Sequence, residues 1–106
     1  MKKNGNHGTV FSARLRQARL LAGLTQIELG VLAGIDEFSA SARVNQYERG
    51  VHAPDHGTAA RLAAALKVPV SYLFEPNDML AKVIFTAGKL DENGLEKVLD
   101  YINGLA

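Results

Sequence analysis

The sequence predicts an all-α fold, with five short helices in one front domain and a C-terminal pair of amphipathic helices behind it. Two observations carry this. Apolar residues recur at spacings of three and four almost throughout, and no run alternates apolar and polar between hairpin turns. The apolar segments are punctuated by glycines and by Thr, Ser and Asp, the residues that stop and cap helices. A chain of 106 residues with 47% hydrophobic and 22% charged side chains is globular in balance and has the size of one domain, too short for two independent enzyme domains.

Residues 1–10 are polar and glycine-bearing and read as a flexible leader. Residues 11–75 form the front domain. Its first helix is expected from about Ser12 to Ala22, with Phe11, Leu15, Ala18 and Ala22 along one stripe and Gly23 as the left-handed residue that ends it. The second opens on Thr25-Gln-Ile-Glu28, a capping box in which the Thr25 hydroxyl accepts from the Glu28 amide and the Glu28 carboxylate reaches back to the Thr25 amide. Leu29, Leu32 and Ala33 face inward, and Gly34 stops the helix. Ile35 to Ser41 reads as a turn rich in capping residues, with Phe38 tucked beneath it as an anchor.

A third helix then runs to about Glu48 and buries Val44 and Tyr47. Gly50 and Pro54 make Arg49 to Asp55 a loop. Asp55 caps a fourth helix through Leu66, with Leu62, Ala63 and Leu66 inward, and Val68 to Phe74 forms a short fifth whose Leu73 and Phe74 close the core. The character changes over residues 76–106. Asp78 to about Ala87 and Asp91 to about Asn103 are amphipathic helices joined at Gly88-Lys-Leu90. Their apolar side chains, Leu80, Ile84, Phe85, Leu95, Val98, Leu99 and Ile102, exceed what a five-helix core needs, so this extension is expected to pair two subunits, with folding back onto its own domain as the alternative.

Composition excludes several functions. Cysteine is absent, which removes disulfides, thiolate nucleophiles and cysteine-based zinc sites. Met1 to Gly8 has basic residues but no apolar run after them, and no stretch approaches ~18 consecutive apolar residues, so neither a signal peptide nor a membrane span is expected and a cytoplasmic location is. His52 and His56 have a spacing that makes a metal pair only on a helix, and Pro54 lies between them; no metal site is expected. Asp91, Glu92 and Glu96 line a helix start, where capping and the helix dipole account for them. No nucleophile elbow or phosphate-cradling glycine loop appears, so neither an enzyme nor a cofactor is expected.

Net charge is only +1, but it is unevenly placed. Residues 1–75 hold nine Lys/Arg against six Asp/Glu, and residues 76–106 hold three against five. A mildly basic front and an acidic back suggest nucleic acid at one end and a protein partner at the other; ordinary scatter of surface charge is the competing explanation.

The motifs Leu15-Arg-Gln-Ala-Arg-Leu20, Gly23-Leu-Thr-Gln-Ile-Glu-Leu29, Ala33-Gly-Ile35, Val44-Asn-Gln-Tyr-Glu-Arg-Gly50, Pro54 and Leu62-Ala-Ala-Ala-Leu66 occur in register. Together, over roughly Phe11 to Phe74, they resemble the phage-repressor/Cro or Xre-like helix-turn-helix family, with its lambda-repressor-like five-helix domain. The resemblance implies a sequence-specific transcriptional regulator of double-stranded DNA, a dimeric repressor reading an inverted repeat. It also implies roles for particular residues. Ser41, Ala42, Arg43, Asn45 and Gln46 fall on or beside the base-reading face of the third helix, where Arg43 suits guanine and Gln46 or Asn45 suits adenine. Arg14, Thr25, Gln26, Arg49 and His52 fall at phosphate-contact positions, with Arg16 a further candidate. Arg19 and Glu48 correspond to a buried ion pair that locks the motif.

Structural roles compete with these: Arg43 paired to Asp36 or Glu37, Asn45 facing solvent, Ser41 acting only as a cap; for Phe38, the alternative to the loop anchor is a wedge between bases. Gly30 stands where the family usually has alanine, at the crossing of the second and third helices. Between Gly34 and Val44 the chain is roughly four residues longer than the motif's usual spacing. Two alternative functions remain at this stage. One is an antitoxin-type autoregulator whose C-terminal helices hold a protein partner, and the other is an interaction module that binds another regulator.

Overall fold

Helix α1 spans Val10–Ala22 and opens with a capping box in which Thr9 and Ser12 exchange backbone and side-chain hydrogen bonds. The computed structural model describes residues 8–106, so the expected leader lies outside the described residues over 1–7. At its far end Thr9 and Val10 already belong to the helix start, because the Thr9 hydroxyl has the Ser12 amide to accept from. Gly23 ends α1 at φ 72°, where a side chain would be strained.

Five more α-helices follow: α2 at Gln26–Leu32, α3 at Glu37–Arg49, α4 at His56–Leu66, α5 at Asp78–Ala87 and α6 at Glu92–Leu105. Val70–Phe74 is a turn of 3-10 helix between α4 and α5. There are no strands among the described residues, and no helix among them is long and apolar enough to cross a membrane.

The core is built where α1, α2, α3, α4 and the 3-10 turn converge. Leu15, Leu29, Val44, Leu62 and Leu73 are fully buried there, with Phe11, Tyr47 and Tyr72 around them. Two residues expected to face inward do not: Ala22 and Leu32 lie exposed at the ends of α1 and α2. Phe74 is half-exposed and covers the core from outside, with its ring 5.2 Å from that of Phe11. Asp55 caps α4 by accepting from the Thr58 amide at 2.8 Å, and that hydrogen bond holds its carboxyl below the ordinary range.

Arg14 corrects a sequence expectation. Expected at a phosphate, it is 8% exposed and turned into the protein. Its Nε and Nη2 donate to the Glu75 carbonyl at 3.0 and 2.7 Å, Nη2 reaches Asp78 at 3.0 Å, and the guanidinium lies 5.8 Å from the centre of the Tyr72 ring. Arg14 therefore ties α1 to the segment that leads into α5 and is withdrawn from any DNA-facing set. Burial pushes the Tyr72 phenol up, against the opposing charge of Arg14.

Helix α5 packs onto this core. Ala81 is buried in it, and Ile84 and Phe85 lie against it, the Phe85 ring meeting Tyr72 edge-on at 5.2 Å. Gly88 comes so close to Pro69 that a Cβ would sit 2.6 Å from the Pro69 ring carbons. Ile84 and Phe85 were expected on a subunit interface; their apolar surface is instead used largely inside the same chain. Helix α6 differs, because none of its residues is buried. Leu95, Leu99, Ile102 and Leu105 on α6, with Leu80 and Val83 on α5, remain exposed.

Candidate nucleic-acid interface

Helices α2 and α3 form a braced pair held at three points. The first is the crossing itself. A Cβ built on Gly30 would lie 2.6 Å from the Ala40 Cβ and 3.0 Å from its Cα, so the backbones meet through the smallest residues available. Gly30→Val is expected to lose about 1–3 kcal/mol by overpacking this contact. In thermal unfolding that is a fall of roughly 4–8 °C per kcal/mol for a domain of this size; an unchanged melting temperature would show that the crossing relaxes freely.

The second point is a charge cluster fed by three helices. Arg19 of α1 donates Nε and Nη2 to the two carboxylate oxygens of Glu48 on α3, the latter at 3.0 Å, and its Nη1 donates to the Leu24 carbonyl at 2.9 Å. The side chains are 11% and 3% exposed, a buried and bidentate pair. The hydrogen bond to Glu48 raises the Arg19 pKa, against the lowering that burial alone would cause. Gln26, the first residue of α2, adds its amide: Nε2 donates to Glu48 Oε1 at 3.2 Å and to Asn45 Oδ1 at 3.3 Å.

The third point lies at the far end of α2. Arg61 of α4 donates Nε to the Ala33 carbonyl at 3.0 Å and Nη2 to the Thr58 hydroxyl at 3.1 Å, closing a carbonyl at the α2 terminus. Nothing local in the sequence marks Arg61 for this, since its partner lies on another helix.

The turn between the two helices is shorter than expected. The expected end is Ser41, but α3 begins at Glu37, with Asp36 accepting from the Phe38 amide at 3.0 Å. The added residues extend α3 toward its N-terminus by about one turn. The cause is physical: Asp36 caps, Glu37 suits the positive end of the helix, no Gly or Pro interrupts, and Ala40 fits against Gly30. Phe38 is consequently not an anchor under a loop. It is 91% exposed on the first turn of α3.

The sequence-assigned residues occupy the following places. Ser41, Ala42 and Arg43 are exposed on α3, and Arg43 forms no ion pair among the described residues. Asn45 and Gln46 are half-buried, with the Asn45 carbonyl oxygen engaged by Gln26. Thr25 is exposed and closes its capping box with Glu28 at 3.1 and 2.8 Å. Arg49 and His52 are exposed at and just beyond the C-terminal end of α3. Val44 and Tyr47 point into the core, so the opposite face of α3 is presented outward along Phe38, Ala42, Asn45 and Arg49. The arrangement is a helix whose inner face is locked to the domain and whose outer face offers amide, hydroxyl and guanidinium groups.

A helix-turn-helix family model matches residues 15–73 of the chain. Among solved structures, the crystal structure of the transcriptional regulator BswR is similar to it with a TM-score of 0.81 and 44% sequence identity, over 88% of this chain and 92% of that one. No curated protein sequence matches the chain.

Proposed function

Because the chain belongs to the Xre-like helix-turn-helix family of DNA-binding transcription regulators, we propose that it acts as a dimeric, sequence-specific repressor that lays α3 in the major groove of an inverted-repeat operator. The observation that supports this best is the bracing of α3. Buried Arg19 and Glu48, with Gln26 donating to both Glu48 and Asn45, fix the rotation of the helix and so the set of side chains it offers. Recognition needs that set held still, since each hydrogen bond to a base edge depends on placement to a fraction of an ångström.

Within this reading Arg43 forks onto guanine O6 and N7 and Gln46 onto adenine N6 and N7, while Ser41, Ala42 and Asn45 touch neighbouring base edges. Thr25, Arg49 and His52 hold the phosphates on either side, and Gln26, whose side-chain amide is spent on Glu48 and Asn45, contributes its backbone N–H at the start of α2. Selection of bound fragments from a random duplex pool, followed by a salt titration, tests it. The expected result is an enriched inverted repeat with half-sites ~34–36 Å apart, and a log affinity that falls by about 0.9 per phosphate neutralised as log salt rises. A pool that stays unenriched at low ionic strength would overturn the reading.

The dimer is assigned to α6 and the outer side of α5. Leu80, Leu95, Leu99 and Ile102 are exposed and Val98 half-buried there, and a twofold pairing of these stripes is the commonest way such a surface is covered. Leu99→Lys is expected to give a monomer by sedimentation at micromolar concentration, with operator affinity lost and the melting of the front domain unchanged. A wild-type chain that sediments as a monomer at the same concentration would overturn the dimer.

A further inference from the structure

We propose that Phe38 is a specificity-determining residue that packs on the 5-methyl group of a thymine in each half-site, an inference that rests on the DNA-binding reading of α3. Among the described residues Phe38 is the most exposed large apolar side chain, at 91%. It lies on the same outward line of α3 as Ala42, Asn45 and Arg49, at successive spacings of four, three and four residues, so it continues the recognition face one turn toward the helix tip. It is there because the added residues of this chain were built into α3 and not into a loop.

The chemistry of the tip identifies what it meets. From Ile35 to Ala42 there is no lysine or arginine, and the carboxylates of Asp36 and Glu37 stand beside Phe38. Such a tip carries no cation to hold a phosphate, so what it offers the groove is the aromatic ring. On the groove floor the one apolar group is the thymine methyl, and an aromatic side chain is among those that suit it. Asp36 is committed to the Phe38 amide, which fixes the backbone of this turn and so the direction in which the ring leaves the helix. Covering the ring in the complex turns an exposed apolar surface into a source of affinity at a position whose base makes no hydrogen bond to the protein.

The test uses the full chain and the duplex that it selects. Each thymine of a half-site is replaced in turn by deoxyuridine, which removes the methyl group and nothing else, and affinities are measured for wild type, Phe38→Ala and Phe38→Leu. One thymine per half-site is expected to weaken wild type about fourfold when demethylated, the value of one buried methyl. That penalty should vanish in Phe38→Ala and return in part in Phe38→Leu. The exposed position makes both variants fold as wild type does, which thermal unfolding checks. If wild type selects no duplex, the DNA reading itself fails. If wild type binds but no demethylation is penalised, or Phe38→Ala keeps every penalty, the assignment of Phe38 is overturned. A change in sedimentation of Phe38→Ala without DNA would also overturn it, placing the ring in a protein contact.

Discussion

Glu48→Ala is expected to destabilise the protein by about 3–5 kcal/mol, the cost of stranding a buried charge whose partner has been removed. Arg19 would keep its proton at any working pH and would be left facing the protein interior with only the Leu24 carbonyl. Gln26 would lose the acceptor that ties α2 to the end of α3. Against a typical margin of about 5–15 kcal/mol, urea unfolding should show a loss that is a large part of the total. Replacing both partners, Arg19→Met with Glu48→Leu, should recover much of it, because well-packed apolar side chains replace a buried ion pair at little cost. A double-mutant cycle with a coupling energy near zero would mean that the pair braces nothing.

The second large effect is on DNA. Gln46→Ala should reduce discrimination at one base position by about 1–3 kcal/mol in each half-site. A symmetric dimer would carry the change twice, so operator affinity should fall by about 2–6 kcal/mol, roughly 30-fold to more than ten-thousandfold. Stability should hardly change, since the Gln46 side chain makes no hydrogen bond to the protein among the described residues. Arg43→Ala should act in the same way at a neighbouring position. The readout is the base preference of the selected sites: preference relaxed at one position marks direct contact, whereas uniformly weaker binding with unchanged preference marks a phosphate contact. Unchanged specificity in both variants would mean that another face reads the bases.

Where a signal was local, the sequence displayed it. The Thr25 to Glu28 capping box, the left-handed Gly23, the helix stop at Gly50 and the Asp55 cap all depend on residues within a few positions, and each is formed as read. What was not legible depended on a distant partner. Gly30 reads as a small residue at a crossing, but only the fold reveals that it meets Ala40, within the stretch over which α3 extends back to Glu37. Arg14 reads as a surface cation because the carbonyl that takes it lies 61 residues away.

The amphipathic stripe of α5 states that something covers Ile84 and Phe85 without stating whether the cover is the same chain or another. Tyr72 covers Phe85 from within, and Ile84 lies against the same core. The exposure of Phe38 is the instructive case. Once α3 is extended, the core positions Ala40, Val44 and Tyr47 already place Phe38 on the opposite side, so one misplaced helix boundary hid its exposure.

Amide chemical-shift mapping of the full chain, titrated at low ionic strength with the duplex selected from a random pool, tests the placement of α3 most directly. The expected shifts fall on Thr25 and Gln26 and along 38–49, with α6 unmoved. A bound duplex that leaves the outward side of α3 silent and shifts α5 or α6 would contradict it.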